Sequence, residues 1–517
     1  MRWLASCFLV LVALSVHASE GFQFRAEYGP HLVGFRVVQQ YDLSRSYRVG
    51  YDAVTGEADQ GLQGRPIQTL IWYPAASPGR PLIYDDYLRL AATEDRFDLD
   101  KDEAMRITTQ ALREYLAFGV SPTHIDAVRN EPVRATGDAP AEQGAFPLII
   151  YAPSDASTAF ENDGLCEYLA SHGYVVIASP SHGAHVRYMR DGSVADSVEN
   201  TRAQAADIGF LIGYAGSLPD VDGAKVGVVG YSWGGMASTF AAVADSRIRA
   251  LVDLDGSVRY FPNVLAAAPD VIPDRITVPL LFFAERGDPL GPGVDSLPNS
   301  FLAHIHYADV TEIGLHRLSH DDLATDNLRF LSEASSKGTT VDERNESYAW
   351  VARYTLAFLD ATLKRDAGAK LFMAATPDSE HVPAGVLSIR HRASAGVPPS
   401  VQDFARTLRA RGFDNALQVY AAYTKEHPGF HIPDDTFEAW FSSLSDLAHA
   451  DDAVDICLLW SHVSPKSIDA WTDLGAAYEI AGKPEKAVSS YRKILAIDPH
   501  NRIAMERIKS LTSVLKG

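Results

Sequence analysis

The sequence predicts an α/β domain with a mainly parallel sheet covered by helices on both faces, followed by an all-α domain. From Arg65 to about residue 365, short apolar, β-rich runs alternate with helical patterns, as expected of a buried parallel sheet. After Val397-Pro398-Pro399 only helix-period patterns remain, so the boundary between the domains is predicted there. A chain of 517 residues is also too long for one compact core. The predicted domains span residues 19–395 and 400–517.

The N-terminus has the pattern of a secretory signal. Arg2 precedes an apolar run from Leu4 to Val16, and Val16-His17-Ala18 places small residues at positions −3 and −1 of a cleavage site. Residues 1–18 are therefore predicted to be a signal peptide, and the mature protein to be exported, either periplasmic or secreted. No later stretch reaches about 18 uninterrupted apolar residues, so no transmembrane segment is predicted.

The α/β domain is predicted to contain seven strands, each followed by turn residues. Their predicted bounds are Gln68–Tyr73, Leu148–Ala152, Tyr174–Ala178, Lys225–Gly230, Ala250–Asp253, Leu280–Ala284 and Val310–Ile313. Residues 84–130 interrupt the order with a charged helical segment, Glu103–Phe118. This helical insertion is expected either to cap one end of the sheet or to lie on its periphery.

A strand-to-helix turn carries the strongest chemical motif. Gly230-Tyr231-Ser232-Trp233-Gly234-Gly235 follows the predicted strand directly and precedes a helix-compatible run, the context of a nucleophile elbow. Small residues flank the serine because the turn is tight, and the helix N-terminus supports developing negative charge. The motif therefore predicts an α/β-hydrolase fold with Ser232 as its nucleophile.

A serine nucleophile needs a histidine base and a carboxylate that orients it, and in this fold both follow the serine in the chain. Two acids qualify by position, Asp255 after one strand and Asp288 after the next. Two bases qualify as well, since His316 and His320 both lie in the loop after the last predicted strand. Asp253, His182 and His185 also lie near strand ends. They are expected to be a turn-capping carboxylate and two surface histidines.

Two segments resemble the platelet-activating-factor acetylhydrolase and dienelactone-hydrolase-like branch of α/β-hydrolases. These are the entry strand, Arg65-Pro66-Ile67-Gln68-Thr69-Leu70-Ile71-Trp72-Tyr73-Pro74-Ala75, and the segment Leu169-Ala170-Ser171-His172-Gly173-Tyr174-Val175-Val176. The resemblance favours Asp255 as the acid, in Leu254-Asp255-Gly256, although some relatives place the acid at the position of Asp288. It also favours His320, in His320-Asp321-Asp322-Leu323, over His316.

The same resemblance implies an oxyanion hole formed by two backbone N–H groups, those of Trp233 and Asp155. The loop that holds Asp155 reads Tyr151-Ala152-Pro153-Ser154-Asp155-Ala156 and lacks the His-Gly turn that is usual in these hydrolases. Loss of one oxyanion donor commonly costs about 10²–10³ in turnover. The departure therefore puts the efficiency or the specificity of the site in question.

The C-terminal region resembles a short tetratricopeptide array across roughly residues 400–515. One copy matches the motif closely, a second is degraded and a third is weak. The copies comprise Trp471, Leu474, Gly475, Tyr478, Ala487, Tyr491 and Pro499, then Phe437, Trp440, Phe441, Leu444, Ala453, Cys457 and Pro465, then Ala416, Tyr420, Tyr423 and Pro428. Such arrays commonly bind peptides, so a protein partner is expected unless the repeats pack on the catalytic domain or form a dimer.

Composition excludes several classes of protein. The formal net charge of −20, without a local basic run, disfavours nucleic acid and anionic lipid surfaces. Cys166 and Cys457 fall in different predicted domains, so no disulfide framework is expected, and no Cys/His spacing resembles a zinc site. No cofactor is predicted.

Together these patterns predict an exported serine hydrolase that cleaves small-molecule or lipid carboxylic esters through an acyl-enzyme on Ser232. The alternative is a non-catalytic exported adaptor that binds a protein partner through its helical repeats. Both hypotheses assume the two-domain architecture, and they differ in whether Ser232 reacts.

Overall fold

The computed structural model of the chain describes residues 21–49, 62–117, 119–187, 191–285, 301–330, 338–427, 429–446 and 449–515. The predicted signal peptide, residues 1–18, lies outside these ranges. The chain divides into two compact units, residues 1–396 and 397–517. Among the described residues, no helix is long and apolar enough to cross a membrane.

The first unit is built on one mixed sheet, which has eleven strands within the described ranges. They are β1 (Leu32–Tyr47), β2 (Gln63–Ala75), β3 (Arg80–Ile83), β4 (Pro132–Gly137), β5 (Phe146–Ala152), β6 (Val175–Ala178), β7 (Val221–Tyr231), β8 (Ile248–Leu254), β9 (Leu280–Glu285), β10 (Val310–Leu315) and β11 (Leu387–Arg392). Their order across the sheet is β11-β10-β9-β8-β7-β5-β6-β2-β1-β4-β3. All seven predicted strands form, within a few residues of their predicted bounds.

The central strands are parallel, from β6 through β5, β7, β8 and β9 to β10. Ala152 pairs with Gly230, and Gly230 pairs with Asp253, so the carboxyl ends of β5, β7 and β8 lie side by side. The loops that follow these three strands therefore meet at one edge of the sheet, where ligands of open α/β sheets bind.

Helices cover both faces of the sheet in the first unit. They are α1 (Tyr84–Leu88), α2 (Lys101–Ala117), α3 (Pro122–Arg129), α4 (Asp163–Ser171), α5 (Val194–Ala215), α6 (Trp233–Ala244), α7 (Pro262–Ala266), α8 (Thr325–Phe330), α9 (Val341–Leu359) and α10 (Ala367–Ala374). Alternate residues of β5 enter different cores. Ile149 and Tyr151 pack with residues of α4 and α9, whereas Leu148 and Ile150 pack with residues of α5 and α6. This alternation buries both faces of the strand.

The predicted insertion, residues 84–130, forms α1, α2 and α3. Its helices pack on the core that contains Ile149 and Tyr151, through residues such as Leu112 and Ile125. Tyr115 stacks on Phe330 with ring centroids 4.0 Å apart. The insertion therefore lies against α8, the helix that follows the loop containing His320.

The second unit is all-helical in its described residues, with α11 (Val401–Arg411), α12 (Ala416–Glu426), α13 (Asp434–Asp446), α14 (Ala450–Val463), α15 (Ile468–Ile480), α16 (Pro484–Ile497) and α17 (Arg502–Val514). Gly475 on α15 faces the ring of Tyr491 on α16, and a Cβ at Gly475 would lie 2.6 Å from that ring. This close packing explains the small residue at that position of the repeat.

Candidate active site

Ser232 stands at the turn between β7 and α6. Its backbone has φ 53° and ψ −117°, a conformation that few non-glycine residues adopt. The turn is held by backbone bonds: Ser232 N–H donates to Leu254 O at 3.2 Å, and Ser232 O accepts from Gly235 N–H at 3.1 Å and Ser257 N–H at 2.8 Å. The strained serine is thus fixed at the carboxyl edge of the sheet, as in a nucleophile elbow.

The glycines of the motif are required by close approach. A Cβ at Gly230 would lie 2.4 Å from Gly234 O. A Cβ at Gly234 would lie 2.0 Å from Ala152 O and 2.6 Å from Pro153 O. The loop after β5 is therefore packed directly against the turn that contains Ser232.

Three predicted site residues form one hydrogen-bonded chain. Ser232 Oγ lies 2.9 Å from His320 Nε2, and His320 Nδ1 lies 2.7 Å from Asp255 Oδ2. Asp255 is fully buried, whereas the His320 side chain is 30% exposed. This arrangement allows the imidazole to take a proton from Ser232 while the carboxylate fixes its tautomer.

Asp255 accepts hydrogen bonds on both carboxylate oxygens. Oδ1 accepts from Arg259 Nη1 at 2.8 Å and from Glu285 N–H at 3.2 Å, and Oδ2 also accepts from Tyr260 Oη–H at 2.8 Å. Burial raises the pKa of this carboxyl, but the His320 bond and the charges of His320 and Arg259 outweigh burial, so the net pKa is lowered. Asp255 is therefore held in its ionised form.

His320 has a raised pKa. Burial acts to lower this pKa. The hydrogen bond and charge of Asp255, followed by the charges of Asp321 and Glu285, raise it by more, so the pKa lies above its ordinary value. The backbone of the histidine is fixed as well, because His320 N–H donates to Glu285 Oε2 at 2.6 Å and His320 O accepts from Tyr231 Oη–H at 3.0 Å. The imidazole is thus a basic group, and hydrogen bonds to the N–H and the O of its own residue fix the backbone that carries it.

The two alternatives for acid and base have different outcomes. Asp288 lies in residues 286–300, outside the described part of the chain. His316 follows β10, and its backbone N–H donates to Val386 O at 2.9 Å. His320 is the histidine that the structure places on Ser232 Oγ.

The two residues predicted to provide oxyanion donors lie on the elements that flank Ser232. Trp233 is the first residue of α6 and directly follows Ser232. Asp155 lies in the loop after β5 that packs on the elbow. Partial burial and the charge of Asp196 raise the pKa of the Asp155 carboxyl. Trp233 therefore adjoins Ser232 in the chain, and Asp155 lies two residues after Pro153, whose O faces Gly234.

One prediction for the remaining strand-end residues was wrong. His182 is buried, at 4% exposure, rather than on the surface, because it stacks on Tyr47 with ring centroids 5.9 Å apart. His185 is half exposed, with its ring 2.9 Å from Glu199. Asp253 is buried, and burial together with the charge of Asp255 raises its pKa well above the ordinary value.

Three residues that support Asp255 and His320 were missed by the sequence analysis. Arg259 and Tyr260 follow Asp255 by four and five residues, and a short 3₁₀ turn over Ser257–Arg259 returns them to its carboxylate. Glu285 ends β9, the neighbour of the strand before Asp255. Their proximity to Asp255 along the chain or across the sheet was the available signal.

Within the described ranges, no group of three or more His, Cys, Asp or Glu side chains is arranged to hold a metal ion. Cys166 and Cys457 are both free thiols in buried positions.

Comparison with known proteins relates both units to families. Residues 147–303 match the model of the dienelactone hydrolase family, and residues 468–501 match the tetratricopeptide repeat model. The first match includes Ser232 and Asp255 and ends before His320. No curated protein matches the chain.

Among solved structures, a ferulic acid esterase from Streptomyces cinnamoneus is similar to this chain with a TM-score of 0.49. The two share 17% sequence identity over 72% of this chain and 99% of the other. The sheet topology and the two family matches together indicate what the chain contains. It has an α/β-hydrolase domain of the dienelactone hydrolase family and a C-terminal tetratricopeptide repeat.

Proposed function

We propose that this chain, with its dienelactone hydrolase family domain, is a serine esterase that cleaves carboxylic esters through an acyl-enzyme on Ser232. The observation that carries the proposal is the hydrogen-bonded chain from Ser232 through His320 to the buried Asp255. An ionised acid, a basic imidazole and a serine on a strained turn are the parts that acyl transfer requires.

The mechanism begins with proton transfer from Ser232 Oγ to His320 Nε2 as Oγ attacks the ester carbonyl carbon. The C=O electron pair moves onto oxygen, and the backbone N–H groups of Trp233 and Asp155 are proposed to stabilise that charge. Asp255 stabilises the imidazolium through Nδ1–H.

Collapse of the tetrahedral intermediate breaks the bond to the alcohol oxygen, which takes the proton from His320 Nε2. Water then enters, gives a proton to His320 and attacks the acyl carbon, and Ser232 Oγ leaves with that proton. The products are one alcohol and one carboxylic acid.

The test is hydrolysis of p-nitrophenyl esters from acetate to octanoate by the mature protein. We expect turnover that disappears in Ser232→Ala, and a chain-length profile that reports the size of the acyl pocket. Equal rates with the native protein and the variant would reject the proposal in favour of the non-catalytic adaptor. Stoichiometric labelling of Ser232 by a fluorophosphonate provides a substrate-independent check.

A further inference from the structure

The loop after β5 has an unusual backbone for its sequence. Pro153-Ser154-Asp155-Ala156 contains no glycine, yet Ala156 has φ 51°, in the left-handed region that alanine rarely adopts. Ser157 N–H donates to Ser154 O at 3.4 Å, which closes the loop as a turn. A strained turn of this kind persists only where surrounding contacts determine it.

Glu161 provides those contacts. Its side chain is 2% exposed, and its carboxylate accepts four hydrogen bonds from the loop and from the end of β5. Oε1 accepts from Tyr151 Oη–H at 2.9 Å and Ser154 N–H at 2.6 Å. Oε2 accepts from Ser154 Oγ–H at 2.7 Å and Ser157 Oγ–H at 2.6 Å. One buried carboxylate thus holds both sides of Asp155.

Glu161 also connects this loop to the segment that follows the catalytic histidine. Its backbone O accepts from Asp326 N–H at 3.0 Å. The next residue, Asn327, donates from Nδ2 to Asp321 O at 3.1 Å, and Asp321 adjoins His320. Glu161 therefore hydrogen bonds both to the loop that contains Asp155 and to the segment that contacts the neighbour of His320.

We propose that Glu161 is a positioning residue that holds the Ser154–Ser157 turn so that the Asp155 N–H reaches the oxyanion formed at Ser232. The proposal rests on the serine esterase function given above. It explains how a loop without the His-Gly turn of related hydrolases keeps a donor in place: a buried side chain supplies the order that glycine-based turn geometry supplies elsewhere.

The chemistry of the four bonds distinguishes a conservative variant from a disruptive one. In Glu161→Gln, the amide oxygen can accept from Tyr151 and Ser154 N–H, and the amide NH₂ can donate to the two serine hydroxyls, which then act as acceptors. In Glu161→Ala, all four donors lose their partner. Burial raises the pKa of Glu161 above its ordinary value, and the bonds from Ser157, Ser154 and Tyr151 act in the opposite direction.

Glu167 offers a matched control. It is also 2% exposed and lies on α4, six residues further along the chain. Its carboxylate accepts from Tyr87 Oη–H at 2.7 Å, Arg134 N–H at 3.0 Å and Ala135 N–H at 3.1 Å. Glu167→Ala therefore removes a buried, hydrogen-bonded carboxylate of the same kind without touching the oxyanion loop.

The experiment compares kcat, KM and thermal unfolding for Glu161→Ala, Glu161→Gln and Glu167→Ala in the full chain. A trifluoromethyl ketone, whose oxygen becomes an oxyanion when Ser232 Oγ adds to its carbon, probes the hole directly. We expect kcat of Glu161→Ala to fall on the order of 10²–10³ with little change in KM, and the ketone Ki to rise by a similar factor. Glu161→Gln should keep most of the turnover, as should Glu167→Ala below its unfolding temperature.

Native kcat and native ketone affinity in folded Glu161→Ala would overturn the proposal, as would an equal loss of kcat in Glu167→Ala. If Glu161→Ala does not fold, the double variant Ser154→Ala, Ser157→Ala tests the same bonds. We expect it to lose turnover and ketone affinity together, and unchanged values would reject the positioning role. These outcomes differ from failure of the esterase proposal, in which the native protein itself neither turns over esters nor is labelled at Ser232.

Discussion

At the scale of single residues, the site is defined by which charges His320 contacts. Asp255 lies 2.7 Å from Nδ1 and is kept ionised by its own hydrogen-bond partners, so the imidazolium form is favoured and the pKa of His320 is raised above its ordinary value. A general base works in its neutral form. In the proposed mechanism, the pKa of His320 therefore sets the acid limb of the pH–activity profile.

The pH dependence follows directly. We expect kcat/KM for p-nitrophenyl acetate to fall about tenfold per pH unit below a single apparent pKa that lies above about 6.5, the ordinary value for histidine. Asp255→Asn removes the negative charge, so the apparent pKa should move down and kcat should fall on the order of 10³–10⁴.

The matched variant is Asp288→Asn. It should leave both the apparent pKa and kcat close to native values. If Asp288→Asn shows the larger loss and the larger pKa shift, the orienting acid must be reassigned to Asp288.

At the scale of secondary-structure elements, the elbow depends on how closely β5, β7 and α6 approach one another. Gly234 leaves no space for a side chain, since a Cβ there would lie 2.0 Å from Ala152 O at the end of β5. Pro153 O would lie 2.6 Å from the same Cβ. Both oxygens belong to the backbone, so neither can move away without displacing β5 or the loop that follows it. The glycine is thus a packing requirement of the strand–helix junction.

Gly234→Ala tests this requirement. We expect the free energy of unfolding to fall by about 1–3 kcal/mol, as for other overpacked sites, with a clear loss of turnover because the oxyanion loop must shift. Gly209→Ala on α5 is the control, since the nearest atom to its added Cβ, Asp245 Oδ2, is 3.8 Å away. There the change should be neutral or stabilise the helix by up to about 1 kcal/mol. Equal effects of the two variants in chemical denaturation would contradict the argument.

At the scale of the whole molecule, the residues of the proposed active site lie in one unit. Ser232, Asp255, His320 and the side chains that hydrogen bond to them lie within residues 1–396, whereas the tetratricopeptide match lies within residues 397–517. Each unit has its own buried cores. The first unit is therefore expected to fold, and to act as the proposed esterase, without the repeats.

Removal of residues 397–517 should leave kcat/KM for small esters within about threefold of the full chain, as expected of separable domains. Circular dichroism of the fragment would establish that it is folded. A folded but inactive fragment would show instead that the repeats support the site.

The local signals of this sequence were sufficient for the fold and for the strand–helix turn that contains Ser232. Apolar β-rich runs predicted the central strands, because a strand buried on both faces must be apolar along its length. The signal failed for β1, whose exposed positions carry polar residues such as Gln39 and Ser44, and for the short edge strands. The glycines around Ser232 identified the elbow because the turn itself leaves no space for side chains at its neighbouring positions, and this requirement is visible in a few consecutive residues.

Tertiary structure decided how the site is assembled. Ser232 and His320 are separated by 88 positions in the chain, and only the alignment of β7, β8, β9 and β10 in one sheet brings them within 2.9 Å. Sequence position allowed two bases, and the fold placed His320 on the serine. The residues that hold the site, Arg259, Glu285 and Glu161, had no motif of their own. A hydrogen bond requires a suitable distance and direction between two groups in the folded chain, and local sequence patterns predict neither.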